Sequence, residues 1–154
     1  MTIEYIKQSI NDKMEIIQKI LDDKELLKNI SRISEVITNA YKNSNKLIVA
    51  GNGGSAADTE HIVGELVSRF NLERKALPAI SLVSNFPVLT AVANDYGYDT
   101  IFEKQIEGYS KKGDVYLALS TSGNSKNIIK SLIKAKELGV ITIGFTQLTF
   151  NVGQ

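Results

Sequence analysis

Apolar residues recur in two different rhythms along the chain, and the rhythm changes near residue 45. In the first part Ile3, Ile6, Ile10, Met14, Ile17 and Leu21 stand three or four residues apart with polar residues between them. That spacing puts them on one side of a helix. Asp22-Asp23-Lys24-Glu25 interrupts the stripe. Asp22 with Glu25 three later has the form of a capping box and predicts a second helix, whose own stripe is Leu26, Ile30, Ile33, Ile37 and Ala40. Stripes so close to a heptad suit either packing on the chain's own domain or a seam between copies, and spacing leaves both open.

After Asn43-Ser44-Asn45 the apolar residues come in short runs. Lys46-Leu47-Ile48-Val49-Ala50 predicts a buried parallel strand, followed by the turn Gly51-Asn52-Gly53-Gly54-Ser55 and a helix over 55–70. A second strand is expected at 77–82, helices at 87–93 and 100–109, and a third strand at 114–119. That strand runs into Ser120-Thr121-Ser122-Gly123-Asn124-Ser125 and a helix over 125–138, which Gly139 stops as a C-cap. Residues 140–145 predict a fourth strand. Strand and helix alternate, which argues an α/β fold with a parallel sheet covered on both faces. The ending after Phe145 carries no helical pattern, so the fold is expected to stop one unit early.

Composition narrows the class without naming a function. A chain of 154 residues with 43% apolar content suits one domain with a real core. Eighteen basic and 17 acidic side chains leave a net charge of +1, which gives no electrostatic argument for nucleic acid or membrane. Without cysteine there is no disulfide framework and no thiolate metal site. The first residues mix charge with apolar groups and lack the form of a signal peptide, and no apolar run reaches the length of a membrane span. The expected location is the cytoplasm.

Both polar turns sit at C-terminal ends of predicted strands, where open α/β sheets bind ligands. The glycines of the first let backbone approach a ligand, and Ser55 with Asp58 has the form of a capping box. The second packs four hydroxyls, an amide and a glycine into six residues. One serine suffices for an N-cap; the surplus hydroxyls, with a helix N-terminus behind them, make a phosphate cradle. The loop lacks the lysine and spacing of a P-loop, which argues against nucleoside triphosphate hydrolysis. On the helix between the turns Ile62, Val63, Leu66 and Phe70 form an apolar side, and Asp58, His61 and Glu65 lie on the other. His61, the one histidine of the chain, is four residues from Glu65. Such a pair can give a divalent metal two ligands, or act as a base and its partner. A third candidate, Ala93-Asn94-Asp95-Tyr96-Gly97-Tyr98, reads by itself only as a loop.

In order, Gly51-Asn52-Gly53-Gly54-Ser55-Ala56-Ala57-Asp58, His61, Glu65, Arg69, Leu77-Pro78-Ala79-Ile80, Leu89-Thr90-Ala91, Ala93 to Gly97, Gly113-Asp114-Val115 and Ser120 to Ser125 resemble the sugar isomerase (SIS) domain family. The resemblance lies nearest its phosphoheptose isomerase branch and reaches to about Phe145. It implies a flavodoxin-like three-layer αβα sandwich behind two N-terminal helices. The chain is then one SIS domain over 1–154, with 1–44 a helical oligomerisation segment and 45–154 the α/β core. It implies a homotetramer with the N-terminal helices in its central bundle. It also implies conversion of D-sedoheptulose 7-phosphate to D-glycero-D-manno-heptose 7-phosphate through an enediol, as in bacterial heptose synthesis. Ser55, Ser120, Thr121, Ser122 and Ser125 would hold the phosphate, and Asn52, Gly53, Gly54, Arg69, Asn94 and Asp95 would complete the substrate site. Glu65 would be the acid/base carboxylate and, with His61, a ligand of a family zinc ion.

The same resemblance places a Gln and a His on a last strand and a long final helix, where they complete the zinc site. Neither Gln147 nor Gln154 stands in that context. The expectation is a shortened or frame-shifted member with at most half the zinc ligands. Two rivals within the family are a non-catalytic protein that binds the replication initiator and a sugar-phosphate sensor.

Overall fold

The computed structural model describes residues 2–146 and the backbone of 150–153. The chain divides into two compact units, Met1–Ser34 and Glu35–Gln154, so the division falls inside the second helix rather than at 44/45. Helix α1 (Ile3–Asp22) starts at Thr2, whose side chain accepts from the Tyr5 N–H at 3.3 Å. It buries none of its residues, and Ile3, Ile6, Ile10, Met14, Ile17 and Leu21 are exposed. Helix α2 (Lys24–Lys42) is capped by Asp23, which accepts from the Leu26 N–H at 2.9 Å. The expected capping box one residue earlier is therefore corrected. Asp22 ends α1, and its carboxylate is taken by Gln18 one turn back.

In the larger unit the predicted strands form at Leu47–Gly51 (β1), Ala79–Ser81 (β2), Val115–Leu119 (β3) and Ile141–Phe145 (β4). The helices are Gly54–Val67 (α3), Phe86–Tyr96 (α4), Ile101–Tyr109 (α5) and Lys126–Glu137 (α6). Strand order is β2-β1-β3-β4 with every pair parallel, and β1 faces β3 from Leu47↔Val115 to Gly51↔Leu119. A fifth strand, Phe150–Gly153 (β5), adds antiparallel to β4. The four expected strands form the parallel sheet, and β5 adds a strand at this edge that the sequence reading did not include. Phe150-Asn151-Val152 does alternate, but three residues are too few for the period-2 signal to stand out.

Successive strand residues point to opposite faces, and the two faces bear different helices. Ile48, Ala50, Tyr116 and Ala118 enter a buried cluster with Phe102 and Ile106 of α5 and Ile128 of α6. Tyr116 is fully buried, shares a hydrogen bond of 2.7 Å with Ser131, and burial pushes its phenol well above the ordinary range. The opposite face carries α3. Its buried Thr59 donates to the Ala56 carbonyl and lies 2.9 Å from the Ser81 hydroxyl of β2. These are the three expected layers, and they leave the C-terminal ends of β1 and β3 side by side.

Candidate active site

Strand β1 turns into α3 within two residues. The turn needs glycine: a Cβ on Gly51 would stand 2.7 Å from the Ser55 carbonyl oxygen, and Gly53 holds φ +56. Gly53 is itself the N-cap of α3 and makes no side-chain cap bond. The expected Ser55–Asp58 capping box is thus corrected, since both lie inside the helix. Their side chains line a cavity of about 950 Å³ instead.

His61 and Glu65 follow on the same cavity wall, with His61 Nε2 3.3 Å from Glu65 Oε1. Ser120 and Thr121 bring in the serine-rich loop, and Leu117, Leu119 and Phe145 form an apolar side. Helix α3 ends at Val67, three residues before the expected end. Two expected helix residues, one of them a candidate site residue, move as a result. Phe70 leaves the apolar side of the helix, and Arg69 turns to Glu73 in an exposed pair at 2.7 Å without lining the cavity. Arg74 takes the place near the cavity that the sequence reading gave to Arg69. Its guanidinium donates to the Leu66 and Glu65 carbonyls at 2.8 and 2.9 Å and so caps the C-terminus of α3. A cation shortly after a helix was the available signal, but the helix end was misplaced.

The serine-rich loop is held from below and open above. Ser120 donates its N–H to the Phe145 carbonyl and accepts from the Gly123 N–H, both at 3.0 Å. Its hydroxyl donates to Ser125 Oγ at 3.2 Å, and Ser122 Oγ accepts from the Asn124 N–H at 3.2 Å. Thr121, Ser122, Gly123 and Asn124 are exposed. Ser125 is the N-cap of α6 but makes no side-chain cap bond. Of the first-turn N–H groups of α6, that of Ile128 goes to Asn127 Oδ1 at 3.0 Å, while those of Lys126 and Asn127 have no i−4 partner within the helix and follow directly on the loop. Such a set of groups can hold an anion by hydrogen bonds and the helix dipole rather than by a full positive charge.

The remaining expected residues lie outside the cavity lining. Asn52 sits at the first turn beside Asn127 of α6. Asn94 and Asp95 end α4, exposed, and bond each other at 2.9 Å. None of these, nor Gly53, Gly54, Ser122 or Ser125, lines the cavity itself. Tyr98, just beyond Gly97, reaches back to Asn52 at 3.0 Å. Tyr98 closes the Ala93–Tyr98 segment that the sequence offered only as a neutral loop, whereas Asn127 did not stand out, because a lone amide outside a motif carries no periodic or compositional signal.

Zinc asks for three or four protein ligands in a tetrahedral set. His61 and Glu65 supply two, and among the described residues no group of three His, Cys, Asp or Glu could hold a metal ion. The residues described do not fit a zinc centre. Gln147 and Gln154 lie outside the described residues.

The SIS domain profile matches residues 8–147. A phosphoheptose isomerase of Clostridium acetobutylicum is 50% identical over 141 residues, spanning 92% of this chain and 72% of that one. The phosphoheptose isomerase of Aneurinibacillus thermoaerophilus is 45% identical, over 95% of this chain and 74% of that one. Among solved structures, a phosphoheptose isomerase from Neisseria gonorrhoeae superposes with a TM-score of 0.84 at 31% identity, covering 93% of this chain and 73% of the other. One from Francisella tularensis gives a TM-score of 0.84 at 32% identity, covering 95% and 76%.

Proposed function

The chain belongs to the SIS domain family, and from that premise we propose that it is an aldose–ketose isomerase acting on D-sedoheptulose 7-phosphate. The observation that carries this reading is the shared cavity: the Glu65 carboxylate on one wall and the Ser120–Thr121 hydroxyls on another open into the same space. Isomerisation of a ketose moves a proton between adjacent carbons. Glu65 removes the proton from the hydroxyl-bearing carbon next to the carbonyl while the carbonyl oxygen takes up a proton, giving an enediol; the proton then returns to the former carbonyl carbon as the neighbouring hydroxyl loses its own proton and becomes the aldehyde. His61 at 3.3 Å orients that carboxylate. The serine-rich loop holds the distant phosphate, so binding energy remote from the reacting carbons fixes the sugar against Glu65. The product is D-glycero-D-manno-heptose 7-phosphate.

The reading includes two finer elements. The exposed stripe on α1 supports assembly of the chain into a homo-oligomer, read as a tetramer. Sedimentation as a monomer at micromolar concentration overturns that. No described helix is long and apolar enough to cross a membrane, and the proposed location is the cytoplasm.

The test of the activity is direct. Incubation with sedoheptulose 7-phosphate, with and without added zinc, should accumulate the aldose. Glu65→Gln should lower the rate by about 10²–10⁴-fold, the usual worth of a positioned base, while stability stays within about 0.5 kcal/mol. Absence of aldose in both conditions, or a Gln variant as fast as the parent, overturns the proposal.

A further inference from the structure

At the turn after β1 three separate segments meet on one side chain, that of Asn52. The starting point is the backbone of α6. The Ile128 N–H donates to Asn127 Oδ1 at 3.0 Å. An N–H can only donate, so this bond decides which end of the Asn127 amide is oxygen. Asn127 is buried, with 2% of its surface exposed. Its Nδ2 must then donate to Asn52 Oδ1, at 2.9 Å, and its Oδ1 takes a hydrogen back from Asn52 Nδ2, at 3.0 Å. Two amides thus close a reciprocal two-bond ring, and the orientation of Asn52 follows from that of Asn127. The third contact is fixed in turn. Tyr98 Oη lies 3.0 Å from Asn52 Oδ1 and donates to it.

The consequence for Asn52 is chemical as well as geometric. Its oxygen receives two donors, from Asn127 and Tyr98, and one of its two amide hydrogens is spent on Asn127. Among the described residues the other hydrogen has no partner. What Asn52 keeps for a ligand is therefore a donor, suited to a hydroxyl or carbonyl oxygen of a sugar. The ring also ties the turn after β1 to the first turn of α6, the helix that the serine-rich loop feeds. Tyr98 adds the segment that follows Asn94 and Asp95.

We propose that Asn127 and Tyr98 are positioning residues. The Asn127–Asn52 ring sets the glycine turn and the phosphate loop at the separation one sugar phosphate spans, and Tyr98 locks the Asn52 amide with its N–H towards that ligand. This rests on the reading above that the two turns bind a sugar phosphate. Inorganic phosphate needs only the serine-rich loop, whereas the sugar phosphate needs both turns in register.

The experiment compares dissociation constants for sedoheptulose 7-phosphate and inorganic phosphate by calorimetry, in the parent and in Asn127→Ala, Tyr98→Phe and Asn52→Ala. The two positioning variants are also combined with Asn52→Ala. Asn127→Ala should weaken the sugar phosphate about tenfold and Tyr98→Phe about threefold, the scale of one or two neutral hydrogen bonds. Inorganic phosphate should change less than about twofold. In the Asn52→Ala background each further substitution should cost less than about twofold, since the group both act through is gone. Where turnover is measurable, KM should rise in the same proportions with kcat nearly constant. Tyr98 is exposed, so Tyr98→Phe keeps the test alive if Asn127→Ala fails to fold. A parent that binds no sugar phosphate overturns the functional reading and this proposal together. A parent that binds, with variants that weaken both ligands equally or lose as much without Asn52 as with it, overturns this proposal alone.

Discussion

The two ends of the same pair of strands treat polar groups in opposite ways. At the N-terminal end Asp114 precedes β3 and is completely buried, yet its carboxylate is fully engaged. It accepts from the Lys46 N–H at 3.0 Å and the Lys111 N–H at 2.9 Å, and it pairs with the Lys46 ammonium. At the C-terminal end β1 and β3 run into the glycine turn and the serine-rich loop, where Thr121, Ser122 and Asn124 stand exposed. Polarity is closed on itself at one end and left open at the other. The difference follows from the direction of the chain. In a parallel sheet with crossover helices, helix N-termini gather at the C-terminal ends of the strands, and their free N–H groups favour an anion there. A charge at the other end finds no ligand to meet and must be satisfied by the fold.

The contrast can be broken most forcefully at Asp114. Asp114→Ala leaves Lys46 without its buried partner and two backbone N–H groups without an acceptor. The expected loss is about 3–5 kcal/mol, the usual cost of removing one partner of a buried pair, tempered because Lys46 keeps 19% of its side chain exposed. Lys46→Met, which leaves both backbone donors on Asp114, should cost less. Urea denaturation measures both. In conditions where the variants stay folded, phosphate affinity should hold. A loss below about 1 kcal/mol for Asp114→Ala would mean the closed end is not closed.

At the open end the prediction inverts. Thr121→Ala combined with Ser122→Ala should cost no more than about 1 kcal/mol of stability, since both positions are exposed and the only loop bond given up is the one from the Asn124 N–H to Ser122 Oγ. Affinity for sedoheptulose 7-phosphate should fall about tenfold, from lost hydrogen bonds to a charged group. Calorimetry and urea denaturation together decide it. A variant that unfolds more readily but binds as before would assign these hydroxyls to the loop rather than to a ligand.

How legible these two ends were in the sequence differs for a physical reason. The open end announced itself, because surplus hydroxyls and glycines at a strand-to-helix turn exceed what a loop needs. The strands and helices around it were legible too, since burial on both faces makes continuous apolar runs and amphipathic helices make stripes. What stayed hidden depends on long-range partners. The pairing of Asp114 with Lys46, 68 residues apart, has no local pattern, and neither has the Asn52–Asn127 ring. Helix ends were hidden for a related reason: the end of α3 is set by Arg74, which caps it from beyond the helix. Family resemblance supplied roles for Asn94 and Asp95 that spacing alone left neutral, and chose between the two roles that spacing left open for Glu65.

The smallest expected effect lies where the two policies meet, at Ser125. As the N-cap of α6 it would ordinarily accept from a first-turn N–H, and Ser→Ala at such a cap costs about 1 kcal/mol. Here the Ser125 oxygen takes the Ser120 hydrogen at 3.2 Å and makes no cap bond. Its own hydrogen is therefore left to point outwards, while that of Ser120, which is only 7% exposed, is spent inside the loop. Ser125→Ala should accordingly cost less than about 0.5 kcal/mol of stability and weaken phosphate binding by a few fold, roughly one hydrogen bond. Ser120→Ala should do the reverse, with the smaller effect on affinity. Urea denaturation paired with phosphate titration reads both quantities on both variants. A full cap-sized loss for Ser125→Ala with unchanged affinity would move Ser125 to the closed side of the comparison and leave the cradle with one donor fewer.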